Sequence, residues 1–376
     1  MTLTPSMRLL RIGHPIAAAV LLASPQGLSQ TPEAPNSVPP LTLRAELPDK
    51  LNRISLGYRM GMNISVDFNK LGGFPPLSDP GPATGSSFNR SYDNGSYNRV
   101  DSSGNLGGRT WYWGYESASQ IQGNSLIMES SSSPANASSE NHMNDPQHGF
   151  ELSYSRQLYR HKNLRFGLEG GFGYTLVEAN DSRTLFATVN RITDSFVIPG
   201  GVSVVPNAPY HGTFLGPGAL MSSSPERVTS VISRDAVITG HREIDSDVFI
   251  FRLGPYMEFP VYKQLSFILG GGLTLISAHT DFSYTETVTL SDTGQVSEPR
   301  SSSGSESDFL VGGYVSATLS YDVTSRIGLF TGVQFQSAGR SVTDSDLVNQ
   351  QSVTKKEAAL DLRKSILLVF GVSYSF

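Results

Sequence analysis

Apolar residues in this chain recur at alternate positions over long runs. Between residues 54 and 68 every even position is apolar: Ile54, Leu56, Tyr58, Met60, Met62, Ile64, Val66 and Phe68. The odd positions are Ser55, Gly57, Arg59, Gly61, Asn63, Ser65 and Asp67. Period two predicts a β-strand with one apolar face. The run is longer than the about 5 or 6 residues of an ordinary strand. It covers the about 9 to 11 residues that a tilted strand needs to cross a bilayer.

Seven further segments carry the same pattern. The second spans about 149–159, with Phe150, Leu152, Tyr154 and Leu158 on one face and Arg156 interrupting it. The third spans 164–177, with Leu164, Phe166, Leu168, Phe172, Tyr174 and Leu176. The fourth is 248–261, the fifth 265–277, the sixth 309–321 and the seventh 327–337. The eighth is about 358–376, and it closes on alternating Ile366, Leu368, Phe370, Val372, Tyr374 and Phe376. Tight connections at 160–163, 262–264 and 322–326 alternate with longer ones, the largest at about 69–147 and 178–246. Short turns at one end and long loops at the other are a property of outer-membrane barrels.

The final strand, ending on Tyr374, Ser375 and Phe376, resembles the closing strand of bacterial outer-membrane β-barrels. In those proteins the terminal aromatic is read by the assembly machinery, so the resemblance implies an assembly signal at Tyr374 and Phe376. The pattern over about 54–376 resembles the small eight-stranded barrels of the OmpA-like and OmpW-like group. No family motif is matched, and no functional residue is carried over. The resemblance implies an all-β fold, an eight-stranded antiparallel transmembrane β-barrel over 51–376 with long extracellular loops. It implies outer-membrane lipids and lipopolysaccharide, the barrel assembly machinery and periplasmic chaperones as partners. A soluble sandwich or lipocalin-like barrel also alternates, but its strands are shorter. Residues 229–243 and 197–205 also have strand character; they read as a hairpin projecting above the membrane rather than as additional barrel strands.

The N-terminal composition agrees with export. Arg8 and Arg11 precede the apolar stretch 16–23, and small residues Gly27 and Ser29 follow. This predicts a signal peptide over 1–29, then a periplasmic leader over 30–50 containing Pro32, Pro35, Pro39, Pro40 and Pro48. Cleavage would move the formal charge from −5 to −7 by removing the two arginines. A mildly acidic chain argues against nucleic acid as a partner. The absence of cysteine removes thiol catalysis and thiolate metal sites. No later stretch has the about 18 consecutive apolar residues of a membrane helix.

The polar faces place candidate chemistry inside the barrel. Arg59, Asp67, Glu151, Arg165, Glu169, Arg252, Glu258, Asp361 and Arg363 all fall on inward positions. Eight strands leave an interior that side chains can fill, so these charges are expected to pair as a structural network. The sharper reading is a charged constriction that selects ions. The first long loop carries Trp111, Tyr112, Trp113 and Tyr115. Such aromatic density predicts a folded cap or a binding patch for an extracellular ligand. Asp93, Asn94 and Asp101 lie near glycines but do not match a calcium loop. Ser277, His279 and Asp281 share a face, at spacings of about 7 Å that make direct contact awkward.

The expected function is non-enzymatic, without cofactor or metal: a structural or surface-binding protein of the outer membrane acting through its external loops. A narrow porin-like channel is the alternative, and an outer-leaflet lipid-modifying enzyme the third reading.

Overall fold

The computed structural model describes residues 51–376 except 77, 85–87, 99–107, 144, 200–204, 213–218, 223, 292, 293, 295, 298, 350 and 351. The expected signal peptide at 1–29, the leader at 30–50 and Asp101 lie outside the described residues. The described elements are strands, with one short 3₁₀ turn at Ala118–Gln120.

Eight strands pair in a cycle. They are β1 (Asn52–Met62), β2 (Gln147–His161), β3 (Leu164–Asp181), β4 (Glu226–Tyr262), β5 (Leu265–Leu290), β6 (Arg300–Asp322), β7 (Ile327–Ser337) and β8 (Ser365–Ser375). Every pairing is antiparallel, from β1–β2 round to β7–β8 and back through β8–β1. The seam is tied at the chain end: Asn52 N–H donates to Phe376 O at 3.0 Å, and Phe376 N–H donates to Asn52 O at 2.9 Å. A cycle of this kind leaves no free backbone edge where the strands meet. The short connections predicted at 160–163, 262–264 and 322–326 are tight turns, two of them carrying left-handed Lys162 (φ 52°) and Lys263 (φ 27°). These turns define one end of the ring, here termed the turn end.

Near the turn end the outward face is apolar and exposed, as at Leu56, Leu253, Leu319 and Phe370. Toward the far end the dressing reverses on β3, β4 and β5. Their inward side chains become Val177 and Ala179, then Ile244, Val248 and Ile250, then Ile276, Ala278, Phe282 and Tyr284, all buried. These face a second sheet in the order Arg340–Asn349, Ser352–Asp361, Ser65–Leu71, Ala137–His142. Its inner residues Ile64, Val66, Phe68, Leu71, Ala358 and Leu360 join the same core.

The first sheet also extends sideways. From the far part of β4 it continues through Leu185–Val197, Ser125–Ser132 and Ile121–Gln122. A small sheet of Arg90–Tyr92, Gly95–Tyr97 and Trp113–Tyr115 forms a second core with Leu126, Met128, Phe196 and Met221.

Three sequence expectations need correction. The run 54–68 is two strands, not one. The chain turns at Asn63, which sits at φ 56° with its side-chain amide donating to Lys364 O at 2.7 Å. The eighth segment is also divided, because Ser352–Asp361 pairs with Ser65–Leu71 and only Ser365–Ser375 joins the ring. Of the hairpin expected from 229–243 and 197–205, residues 200–204 lie outside the described residues, and 229–243 has other partners. Residues 226–232 pair with 189–195, and 236–253 pair with β5 as one continuous strand. Alternation alone cannot reveal a break that preserves its own phase.

Candidate functional site

The interior of the turn half gathers most of the charges expected there. Arg59, fully buried on β1, donates from Nη1 to Glu151 Oε2 at 3.5 Å and from Nη2 to Gln336 Oε1 at 3.4 Å. Arg252 on β4 bridges two carboxylates. Its Nη2 lies 2.6 Å from Glu151 Oε1 and its Nη1 2.8 Å from Glu169 Oε1. Tyr314 donates to the same Glu169 oxygen at 3.2 Å, and its ring lies 5.3 Å beneath the Arg252 guanidinium. Nearer the turns, Glu258 accepts from Arg53 at 2.9 Å and from Arg165 at 3.3 Å.

Glycine makes this packing possible. A Cβ on Gly173 would stand 2.2 Å from Arg59 Nη1, and one on Gly171 would stand 2.6 Å from Arg252 Nε. The two arginines occupy the space where side chains from β3 would lie. Arg53, Gln334 and Gln336 belong to the network but were not singled out from the sequence. Arg53 sits in phase with Ser55, Gly57 and Arg59, which was the available signal.

Space inside is small. A cavity of about 50 Å³ is bounded by Arg53, Glu151, Glu169, Arg252, Tyr256 and Gln334. Beyond Arg59 a cavity of about 10 Å³ lies among Ile64, Val177, Val248, Ile250 and Leu362. The smaller is at the lower limit for holding one water molecule. Beyond the ion pairs, buried apolar side chains of β3, β4 and the second sheet pack together, with Thr175, Gln336 and Ser365 at their edge.

Three expected interior charges lie elsewhere. Asp67 pairs with Arg340 on the outer side of the second sheet. Asp361 and Arg363 pair with each other, with Arg363 Nε 3.0 Å from Asp361 Oδ1, at the turn before β8. All three follow from the two strand breaks.

The loop aromatics do not form an open patch. Trp113 is fully buried, and its indole N–H donates to Ala219 O at 2.8 Å. Tyr115 is buried beside it, Tyr210 packs at 5.1 Å from the Trp113 ring, and Tyr97 stacks on Phe196 at 4.9 Å. Trp111 and Tyr112 are half-buried. Asp93 is a turn builder, accepting from Ser131 N–H at 2.7 Å and from Ser78 Oγ at 3.0 Å. Burial raises its pKa, and the Ser78 and Ser131 hydrogen bonds offset part of that rise. Among the described residues, no group of three or more His, Asp or Glu is placed to hold a metal.

Ser277, His279 and Asp281 do not assemble. His279 Nδ1 shares a 2.7 Å hydrogen bond with Ser307 Oγ across the strands, Ser277 faces Phe309, and Asp281 lies between Asp245 and Ser305. Tyr374 and Phe376 are exposed on the outer face and stack at 6.0 Å.

Sequence reasoning missed a second buried set in the far half. Lys356 Nζ lies 2.6 Å from Glu286 Oε1, and Arg242 Nη1 lies 3.1 Å from Asp181 Oδ2. Burial lowers the pKa of Lys356, against the attraction of Glu286. The signal was a charge in phase with an apolar run: Lys356 precedes Ala358 and Leu360, and Glu286 follows Phe282 and Tyr284.

No protein-family model matches this sequence, and no curated protein matches it. Solved structures similar to it include Ail, the attachment invasion locus protein of Yersinia pestis. That match has 10% identity and a TM-score of 0.25, covering 87% of this chain and 99% of that one. The outer membrane protease OmpT of Escherichia coli matches at 11% identity and TM-score 0.30, covering 88% and 97%. The outer membrane protein OprG of Pseudomonas aeruginosa matches at 9% and 0.28, covering 87% and 97%.

Proposed function

We propose that this chain is an eight-stranded outer-membrane barrel with a closed lumen, carrying a folded β-rich head outside the cell. Its role is structural or surface-binding through that head, and it is not an enzyme. One observation carries the reading: the reversal of side-chain dressing along β3, β4 and β5. Around the turn half, apolar side chains stand outward and exposed while charged ones pair inside. That arrangement suits lipid outside and a side-chain-filled interior. In the far half the exterior carries Glu178, Glu243, Asp245, Asp281 and Ser283, and the interior is an apolar core that encloses the Lys356–Glu286 and Arg242–Asp181 pairs. That suits water outside and a packed core. The reversal falls at Leu176–Val177, Phe249–Ile250 and Leu275–Ile276, where this reading sets the outer boundary of the membrane.

The apolar packing beyond Arg59 supports a lumen that does not conduct. Ion pairs at 2.6 and 2.8 Å bridging three strands support a structural role for the interior charges. Outer-membrane lipids and lipopolysaccharide would surround the apolar belt, and the exposed Tyr374 and Phe376 would be available to the assembly machinery. A bilayer recording of the folded protein tests the reading. Silence with verified insertion is expected. Steady openings altered by Glu169→Gln would replace this reading with a narrow pore. Altered lipid A on expression, lost in His279→Ala, would replace it with an enzyme.

A further inference from the structure

The far end of β4 overshoots its neighbour. β5 ends at Leu290, opposite Ala236, and Ser291 N–H closes the ladder on Asp235 O at 2.8 Å. β4 itself begins at Glu226. On its other side, residues 226–232 are held by 189–195. Among the described residues, the remaining edge of residues 226–234 has no backbone partner. An exposed strand edge presents unpaired N–H and C=O groups to any extended chain, and proteins usually blunt such edges with charges.

This edge is not blunted along its length. Val228 and Val231 are 57% and 68% exposed, and Thr229 and Ser233 are exposed as well. From Val228 to Ser233 there is no charge. Arg227 is occupied elsewhere, with Nε 2.7 Å from Asp194 Oδ1 and Nη2 2.6 Å from Asp194 Oδ2. Glu226 and Arg234 are exposed at the two ends, Arg234 with its guanidinium resting 4.1 Å from the centre of the Phe186 ring. The left-handed turn at Arg234 (φ 61°) ends the flat stretch.

We infer that this edge pairs with the same edge of a second copy of the chain, forming a two-fold symmetric dimer through an antiparallel β-ladder. The side chains select this occupant. With the two-fold axis at Ser230, Val228 of each copy faces Ile232 of the other, and Thr229 faces Val231. Glu226 of each copy meets Arg234 of the other. Facing β-branched residues and opposite charges are the favourable cross-strand pairs, and the two-fold provides each of them twice. A foreign strand would have to supply the same charges at the same spacing. This inference stands whether or not the ring spans a membrane.

Because the chain has no cysteine, a single introduced thiol reports the register cleanly. In the full chain purified in detergent, Ser230→Cys is expected to give a disulfide-linked dimer under mild oxidation. Ser233→Cys is not, because its copy lies six positions along the partner strand, about 20 Å away. Light scattering is expected to show a dimer that Glu226→Arg weakens at least tenfold and that added Arg234→Glu restores. Glu226, Ser233 and Arg234 are exposed and Ser230 is half-buried, and unchanged heat-dependent gel migration verifies the fold of each variant. A monomer at all accessible concentrations, equal cross-linking through positions 230 and 233, or failure of the charge swap to restore the dimer would overturn the inference.

Discussion

Strand β5 passes through two environments in 26 residues, while β1 and Ser65–Leu71 reach the same two by another route. On β5 the chain runs straight and the sequence changes phase. Apolar residues occupy odd positions through Leu273 and Leu275, then even ones from Ile276 through Ala278, Phe282 and Tyr284. From residue 54 to 68 the sequence keeps its phase and the chain turns instead. Ile54 and Leu56 face outward, yet Ile64, Val66 and Phe68 lie in the core beyond the left-handed Asn63. The side on which an apolar face lands depends on both phase and path, and only the phase is written plainly in the sequence.

The comparison breaks most decisively at the interior charges. Arg252→Met would leave Glu151 and Glu169 buried without their shared cation, at an expected cost of about 3–5 kcal/mol. Arg363→Met removes an exposed, solvent-screened partner of Asp361 and should cost far less. Urea titrations of the folded protein in lipid vesicles measure both. Equal effects would mean that the turn-half charges are solvated, against the closed interior.

The next effect separates the two exteriors. Leu253 stands outward in the apolar belt, so Leu253→Arg should cost about 2–4 kcal/mol in a bilayer. Ser283→Arg places the same charge outward on the far half, where about 0.5 kcal/mol or less is expected. Folding yield into vesicles distinguishes them. A tolerated arginine at position 253 would remove lipid from that face.

The break at Asn63 gives a smaller effect. A left-handed residue other than glycine or asparagine costs about 1–2 kcal/mol, and Asn63→Ala also loses the hydrogen bond to Lys364 O. Asn63→Gly should retain most of the stability, because glycine accepts positive φ. Thermal unfolding of the pair tests whether the turn is set locally. Equal losses would assign it to packing of the second sheet.

These positions also show what the sequence could reveal. The ring strands were legible because each carries a long exposed apolar face, and the tight turns because they are short and polar. Six of the nine expected interior charges lie in the ring, since their phase matches that of straight strands. Asp67, Asp361 and Arg363 were misplaced because Asn63 and the 361–364 turn redirect the chain without disturbing the alternation. The tryptophan-bearing loop was legible as folded. The direction in which Trp113 points was not, because its partners Ala219 and Tyr210 are about a hundred residues distant in sequence.

The far half should also respond to acid through Asp181. Burial disfavours its charged form, but hydrogen bonds from Arg183 and Ser139 outweigh that and hold its pKa at about 2 instead of 3.8. A carboxylate depressed in the folded state stabilises it most above the unfolded value. This contribution is present above pH 3.8 and is lost as pH falls through about 2. Arg242, beneath it at 3.1 Å, would then be left without its charged partner. Thermal unfolding followed from pH 5 to pH 2 should show stability falling across this window, with a shallower fall in Asp181→Asn. The same slope in both proteins would locate the acid-sensitive group elsewhere, while a flattened slope would identify the carboxylate at the end of β3 as what keeps Arg183 and Arg242 on the head.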